Sequence, residues 1–298
     1  MYSSPAVPVS PRDFHDRIYQ GKVARFADLA PMRDLVAFTR GMLEEVFAPH
    51  APVEIHRHLP HDRQVEVFAE IEKNFARSDT VKRLWAGVFE AAGLDPTLLV
   101  RDRLHLRFQP HQDPAAGLPR SRNTSTVAFH RDTWGSNLYA QTNWWTPVYP
   151  ITEGRTFALY PDLWTQAVPN TSASFDLEAL LARARTEGRH SLGADDAIPH
   201  LAEAVDVGRV EPVVIEPGEV IAFSSAHAHA GVGNTTGLTR ISLETRTLWI
   251  EDVRAGRGAP NVDGHAPWMA PGLFRRASDG EKLTALLGWR ELEPYRRG

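Results

Sequence analysis

Near residue 99 the hydrophobic rhythm of this chain changes period, and that change limits the possible folds more than any single motif does. Upstream, apolar residues recur with helical spacing: Leu35, Val36, Phe38, Met42, Leu43 and Val46 within 34–46, then Val65, Phe68, Ile71 and Phe75 within 62–75. A third helix is predicted from the Ser78-Asp79 cap through Val81, Leu84, Trp85, Val88 and Phe89 to a stop at Gly93. Downstream, Leu104, Leu106 and Phe108 alternate with His105 and Arg107, the period of a half-buried strand. Strand-like segments follow at 124–130, 139–148, 155–160, 209–215, 219–224, 227–230 and 240–250, with turns at Pro217-Gly218 and 231–237. A helical stretch at 176–185 interrupts them. A Pro/Gly-rich loop is expected over 110–119, a polar loop up to about 199, and a short helix near 280–287.

Helices first and many short strands after them describe an α+β chain with a mainly β core. The predicted architecture is a double-stranded β-helix, a jelly roll of the cupin-like kind, with N-terminal helices and a helical insertion. Neither βαβ alternation nor a Gly-rich phosphate loop is present, which argues against a Rossmann fold. The chain reads as one domain over 1–298: mainly helical over 1–98, jelly-roll core over 99–250 with an insertion at about 164–208, and a tail over 251–298. Trp268 in that tail is a candidate lid or homodimer contact.

The net charge of −4 offers no electrostatic footprint for nucleic acid. No segment approaches the length of a membrane span, and the first eight residues have neither a basic start nor an apolar run. A cytoplasmic protein acting on a small molecule is expected. The chain has no cysteine, which excludes thiolate metal sites, iron–sulfur clusters and a Cys nucleophile. Any metal held by side chains must therefore use His and carboxylate ligands.

Phe129-His130-Arg131-Asp132 supplies such a pair. Residues i and i+2 of a strand share a side, so His130 and Asp132 at the end of an apolar strand can offer an imidazole and a carboxylate to one ion. A distant His completes the 2-His-1-carboxylate set of mononuclear iron(II) oxygenases, which leaves positions open for cosubstrate and oxygen. A second His-x-Asp, His111-Gln112-Asp113, lies between Pro110 and Pro114 without a strand pattern and reads as surface loop. The third ligand is His227 or His229 in Ser225-Ala226-His227-Ala228-His229-Ala230-Gly231. Both together would suit a cupin-type site working without a cosubstrate, and a silent jelly-roll binding protein is the other rival.

The order of motifs over roughly 104–248 resembles the phytanoyl-CoA dioxygenase-like branch of the Fe(II)/2-oxoglutarate-dependent oxygenases. The His-x-Asp segment is followed by Gln141-Thr142-Asn143-Trp144-Trp145-Thr146-Pro147-Val148, then by Gly154-Arg155-Thr156-Phe157-Ala158-Leu159-Tyr160-Pro161. Pro217-Gly218-Glu219, an apolar strand, His229, Asn234 and Arg240-Ile241-Ser242 complete the series. The chain departs from the family pattern in Glu219, where Asp is common, and in the 164–208 insertion. The resemblance implies iron held by His130, Asp132 and His229, with Arg240 eleven residues on as the anchor for the distal carboxylate of 2-oxoglutarate. Ser242 assists Arg240, and Asn143 is expected with them in the cosubstrate site. It further implies a dioxygenase that consumes O2, releases succinate and CO2, and oxidises, most simply hydroxylates, a C–H bond of a small metabolite. A carboxylate at Asp132, where related halogenases carry a small residue, argues against halogenation.

Overall fold

The computed structural model describes residues 10–113, 124–187 and 198–295. The helical first part comprises α1 (Pro11–Tyr19), β1 (Ala24–Phe26), α2 (Ala30–Phe47), α3 (His61–Arg77) and α4 (Asp79–Ala91). Of these, α1 is not among the helices expected from periodicity, although its start signals are explicit. Ser10 accepts a hydrogen bond from the Asp13 amide at 3.1 Å, and Pro11 opens the first turn. Ser78 caps α4 in the same way.

Next come β2 (Leu99–Arg101), β3 (His105–Gln109), α5 (Asp132–Ser136), β4 (Thr142–Pro147), β5 (Phe157–Leu159) and α6 (Leu177–Thr186). They are followed by β6 (Glu211–Pro212), β7 (Val220–Ser224), β8 (His229–Gly231), β9 (Arg240–Trp249) and α7 (Ile250–Ala255). The tail holds β10 (Trp268–Met269), β11 (Arg275–Arg276), α8 (Leu283–Leu287) and β12 (Glu293–Pro294). Among these residues no helix is long and apolar enough to cross a membrane.

The strands form a seven-stranded antiparallel sheet in the order β1-β7-β4-β9-β2-β11, with β3 also paired to β9, and a three-stranded sheet β6-β5-β8. The two sheets meet through Trp145, Ile221 and Phe223 on one side and Phe157 and Leu159 on the other. Two facing antiparallel sheets with helices packed on one of them agree with the expected α+β chain with a mainly β core, and the described ladders do not close into a barrel. The predicted strand at 124–130 is not formed as a strand: His130 makes an isolated bridge with His229, and the Val127 carbonyl accepts from the Gly231 amide at 2.9 Å. The expected strand at 209–215 shrinks to two residues. The loop at 110–119 and the polar stretch to 199 fall largely outside the described residues.

Alternation along the large sheet sorts its two faces. Leu106, Phe108, Trp144, Ala222, Ile241 and Leu243 face the helices. There Trp144 stacks on Phe14 and Phe26 at 5.7 and 5.8 Å, and Phe68 stacks on Phe108 at 4.2 Å. The residues between them, Arg107, Asn143, Trp145, Phe223, Arg240 and Glu244, line the space between the sheets. A β-strand with one apolar face and one charged, buried face is the first sign of a built site.

Candidate metal centre

His130 and His229 are placed by their mutual bridge, and their rings lie 4.2 Å apart. Asp132 arrives differently from the sequence expectation. It is the first residue of α5, following an extended Arg131, so the His-x-Asp pair converges across a strand-to-helix turn rather than along one strand. The Nε2 atoms of His130 and His229 lie 3.6 Å from Oδ1 and Oδ2 of Asp132 respectively. All three donor atoms fall within 4.8 Å of one another, a group that could hold a metal ion.

Each imidazole is oriented for that task. Nδ1 of His130 lies 2.9 Å from the Ala128 carbonyl, and Nδ1 of His229 lies 3.0 Å from the His227 carbonyl. A carbonyl only accepts, so each Nδ1 carries the proton and each Nε2 presents a lone pair. Burial, helped by the neighbouring His130, lowers the pKa of His229 to about 4, which keeps it neutral and able to ligate. Burial alone would raise the Asp132 carboxyl. The Arg246 guanidinium overrides this, with His130 and His229, and holds the carboxyl well below the usual range.

The middle residue, Arg131, points away from the site. It donates to the carbonyls of Ala226, Leu163 and Gln166 and to Oδ2 of Asp263 at 3.1 Å. Asp263 also accepts from Trp134 Nε1 at 2.7 Å and from the Val168 amide at 3.2 Å. This buried hub fixes the segment bearing both ligands from behind.

Of the rival ligands, His227 faces two backbone carbonyls, Ser224 and Gly21, at 3.1 and 3.2 Å. It stands outside the three-residue group, and burial lowers it to about 4. His111 accepts from the Gly237 amide at 3.2 Å, also outside that group.

Arg240 sits in the same cavity as the three ligands, a space of about 70 Å3. It is 5% exposed, and its Nε and Nη1 have no hydrogen-bond partner. Burial lowers this guanidinium to about 10, with Glu244 opposing the shift. Ser242 is fully buried on the next same-face position, and its Oγ is also unpartnered. Asn143 lines the cavity, but its amide is committed: Nδ2 donates to Asp132 Oδ2 at 2.5 Å, and Oδ1 accepts from Ser225.

Further charged residues of the cavity are not among those expected from the motifs. Arg107 pairs with Glu244 at 2.5 Å inside the cavity, and Glu244 is held at about 2: burial would raise it, and Arg107 foremost lowers it. Arg246 bonds Asp132 and, through Nη1, Asp102 at 2.9 Å. The alternation of β9 could have flagged Glu244 and Arg246, since both share the face of Arg240. The cavity wall then carries Arg107, Arg240 and Arg246 against Asp132 and Glu244, with Asp102 behind Arg246 completing the balance.

No family model matches the chain, and no curated protein matches it. Among solved structures it is similar to the non-heme monooxygenase ThoJ (16% identity, 79% of this chain and 77% of that one, TM-score 0.46). It is also similar to EvdO2 from Micromonospora carbonacea var. aurantiaca (12%, 84% and 94%, 0.47) and to EctD from S. alaskensis (16%, 93% and 88%, 0.41). EvdO2 is also known complexed with 2-oxoglutarate, EctD with bound Fe and ThoJ as a Ni complex. With identities this low and TM-scores this far from unity, the functional reading rests on this chain's own side chains.

Proposed function

We propose that the chain is an Fe(II)/2-oxoglutarate-dependent oxygenase of the phytanoyl-CoA dioxygenase-like kind, acting on a C–H bond of a small molecule. The observation that carries this is the buried Arg240 with unpartnered Nε and Nη1 in the cavity that holds the His130, Asp132 and His229 donor set. A buried, unpaired guanidinium is costly, and a carboxylate is the partner it matches best, through two parallel charge-assisted bonds. With Asp102 counted on Arg246 the set is neutral, a divalent ion on the three ligands would bring two positive charges, and a dicarboxylate would balance them.

The residues fit the group they would hold. Two neutral imidazoles and one carboxylate are the ligand set of non-haem iron(II) sites. His130, Asp132 and His229 would hold the metal, and Arg240 with Ser242 the far end of the cosubstrate. Bound iron and 2-oxoglutarate would supply the oxidising chemistry, with succinate and CO2 as by-products and hydroxylation as the simplest outcome. The chain's own part is to orient and to exclude water: Trp145, Phe157 and Phe223 wall the cavity, and Nδ1 bonds to backbone fix both rings.

The organic substrate is assigned to a second cavity, of about 170 Å3, beneath α6. It shares Asp132 and Arg246 with the first and is lined by Phe175, Leu177, Leu180 and Leu181. Asp102, Arg103 and His105 line its other side, so the cavity suits a body with an apolar flank against α6 and a polar flank opposite. The decisive experiment measures succinate release over a substrate panel with Fe(II) and 2-oxoglutarate. His130→Ala and Arg240→Ala serve as controls. Release that no substrate stimulates, or that survives both substitutions, refutes the reading.

A further inference from the structure

Resting on that metal-centre reading, we propose that Arg246 is a positioning residue that makes Asp132 a one-oxygen ligand, through Oδ2, and so keeps a coordination position free for the cosubstrate. Arg246 Nε and Nη2 both donate to Oδ1 of Asp132, at 3.1 and 2.8 Å. A carboxylate oxygen has about two lone-pair directions, so these two bonds occupy Oδ1. Oδ2 receives only the Asn143 amide, at 2.5 Å, and has one direction left. Each oxygen lies 3.6 Å from one imidazole Nε2, Oδ1 from His130 and Oδ2 from His229, so the free lone-pair direction and not the distance selects Oδ2.

The guanidinium cannot swing away to free Oδ1. Its opposite edge is tied by Nη1 to Oδ2 of Asp102 at 2.9 Å. Asp102 is fixed in turn by the Arg246 amide at 2.8 Å and the Thr245 hydroxyl at 3.1 Å, both on its Oδ1. A planar fork held at both edges sets the angle of Asp132 as well as its charge. Asp102 also balances the Arg246 cation, so the set of Asp102, Arg246 and Asp132 keeps one negative charge toward a metal. A Lys could supply the charge, but a single ammonium could not fill both directions of Oδ1 while reaching Asp102.

The test uses Co(II) as the probe. Wild type is compared with Arg246→Lys and with the double variant Arg246→Gln/Asp102→Asn, which removes the cation together with one of its two carboxylates and leaves Asp132 as the single negative charge facing the metal. The expected result is Co(II) affinity weakened by roughly 10–100-fold in both, with an altered visible spectrum and weaker 2-oxoglutarate binding to the cobalt-loaded protein. Unfolding temperature and circular dichroism identify the folded variants. A folded variant with wild-type Co(II) affinity and spectrum overturns the proposal. X-ray absorption on cobalt-loaded wild type needs no variant at all: both carboxylate oxygens on cobalt overturn the proposal, and one supports it. A wild type that binds no Co(II) instead removes the metal-centre reading beneath it, so the two failures are distinct.

Discussion

His130 and His229 are bonded to each other through their backbones: each amide donates to the other's carbonyl, at 3.0 and 2.9 Å. The two imidazoles are thus brought together by main-chain atoms that no side-chain substitution removes. His130→Gln and His229→Gln are expected to lose metal affinity by more than the roughly 10–100-fold typical of an outer hydrogen-bond partner. Stability of the metal-free protein should stay within about 1 kcal/mol of wild type. Isothermal titration with Co(II) and urea unfolding in chelator check both halves.

Arg240 separates stability from function. Arg240→Met removes a buried guanidinium whose Nε and Nη1 lack partners, so the metal-free, cosubstrate-free protein should gain about 1–3 kcal/mol. The same variant should lose 2-oxoglutarate binding and keep Co(II) binding. A loss of stability, or unchanged cosubstrate affinity, contradicts the assignment.

Arg131 is the opposite case. Arg131→Met leaves Asp263 without its cationic partner in a buried setting. Breaking such a pair costs about 3–5 kcal/mol. Urea unfolding should show that loss, and Asp263→Asn should cost a similar amount, because it leaves Arg131 without a counter-charge and turns one of two accepting oxygens into a donor facing N–H groups.

Much of this was legible in the sequence, and the rest was hidden for identifiable reasons. The period change near 99 separates helices from strands because burial imposes 3.6 on one and 2 on the other. The spacing of His229 and Arg240 was readable because each opens a strand, β8 and β9, with only a turn between them. The start of α5 was not: Asp-Thr-Trp-Gly-Ser is too short for periodicity to register, so Asp132 was drawn onto a strand. Arg131 looked like an ordinary charged residue, since its partner Asp263 lies 132 positions away. Arg246 and Glu244 carry no signal in the motifs, because alternation does not say whether the polar face of a strand meets water or a second sheet.

Acid should expose another buried group. His15 is enclosed by Phe14, Tyr19 and Trp249, and neither ring nitrogen has a partner. Burial, with the Arg12 charge adding to it, lowers its pKa from 6.5 to about 3. The unfolded chain therefore binds a proton between these values that the folded chain does not. The stabilisation is complete above pH 6.5 and is lost as pH falls below it. Between about pH 6.5 and 5 this one residue should cost about 2 kcal/mol. His15→Phe should flatten the acid limb of a urea-unfolding pH series by that amount.

Filling the cavity under α6 tests the substrate assignment. Leu180→Trp should raise KM for whichever panel compound stimulates succinate release, while Co(II) and 2-oxoglutarate affinities stay unchanged. An unchanged KM would place the organic substrate elsewhere.

The bridge between positions 130 and 229 closes a loop of the 98 residues between them, and α6 lies within it. The entropy of closing a flexible loop grows only with the logarithm of its length, about 0.6 kcal/mol for each doubling. Residues can therefore be added to or taken from the α6 region at small thermodynamic expense to the two imidazoles. A lineage carrying this scaffold can exchange the part that selects a molecule while the part that oxidises it stands still.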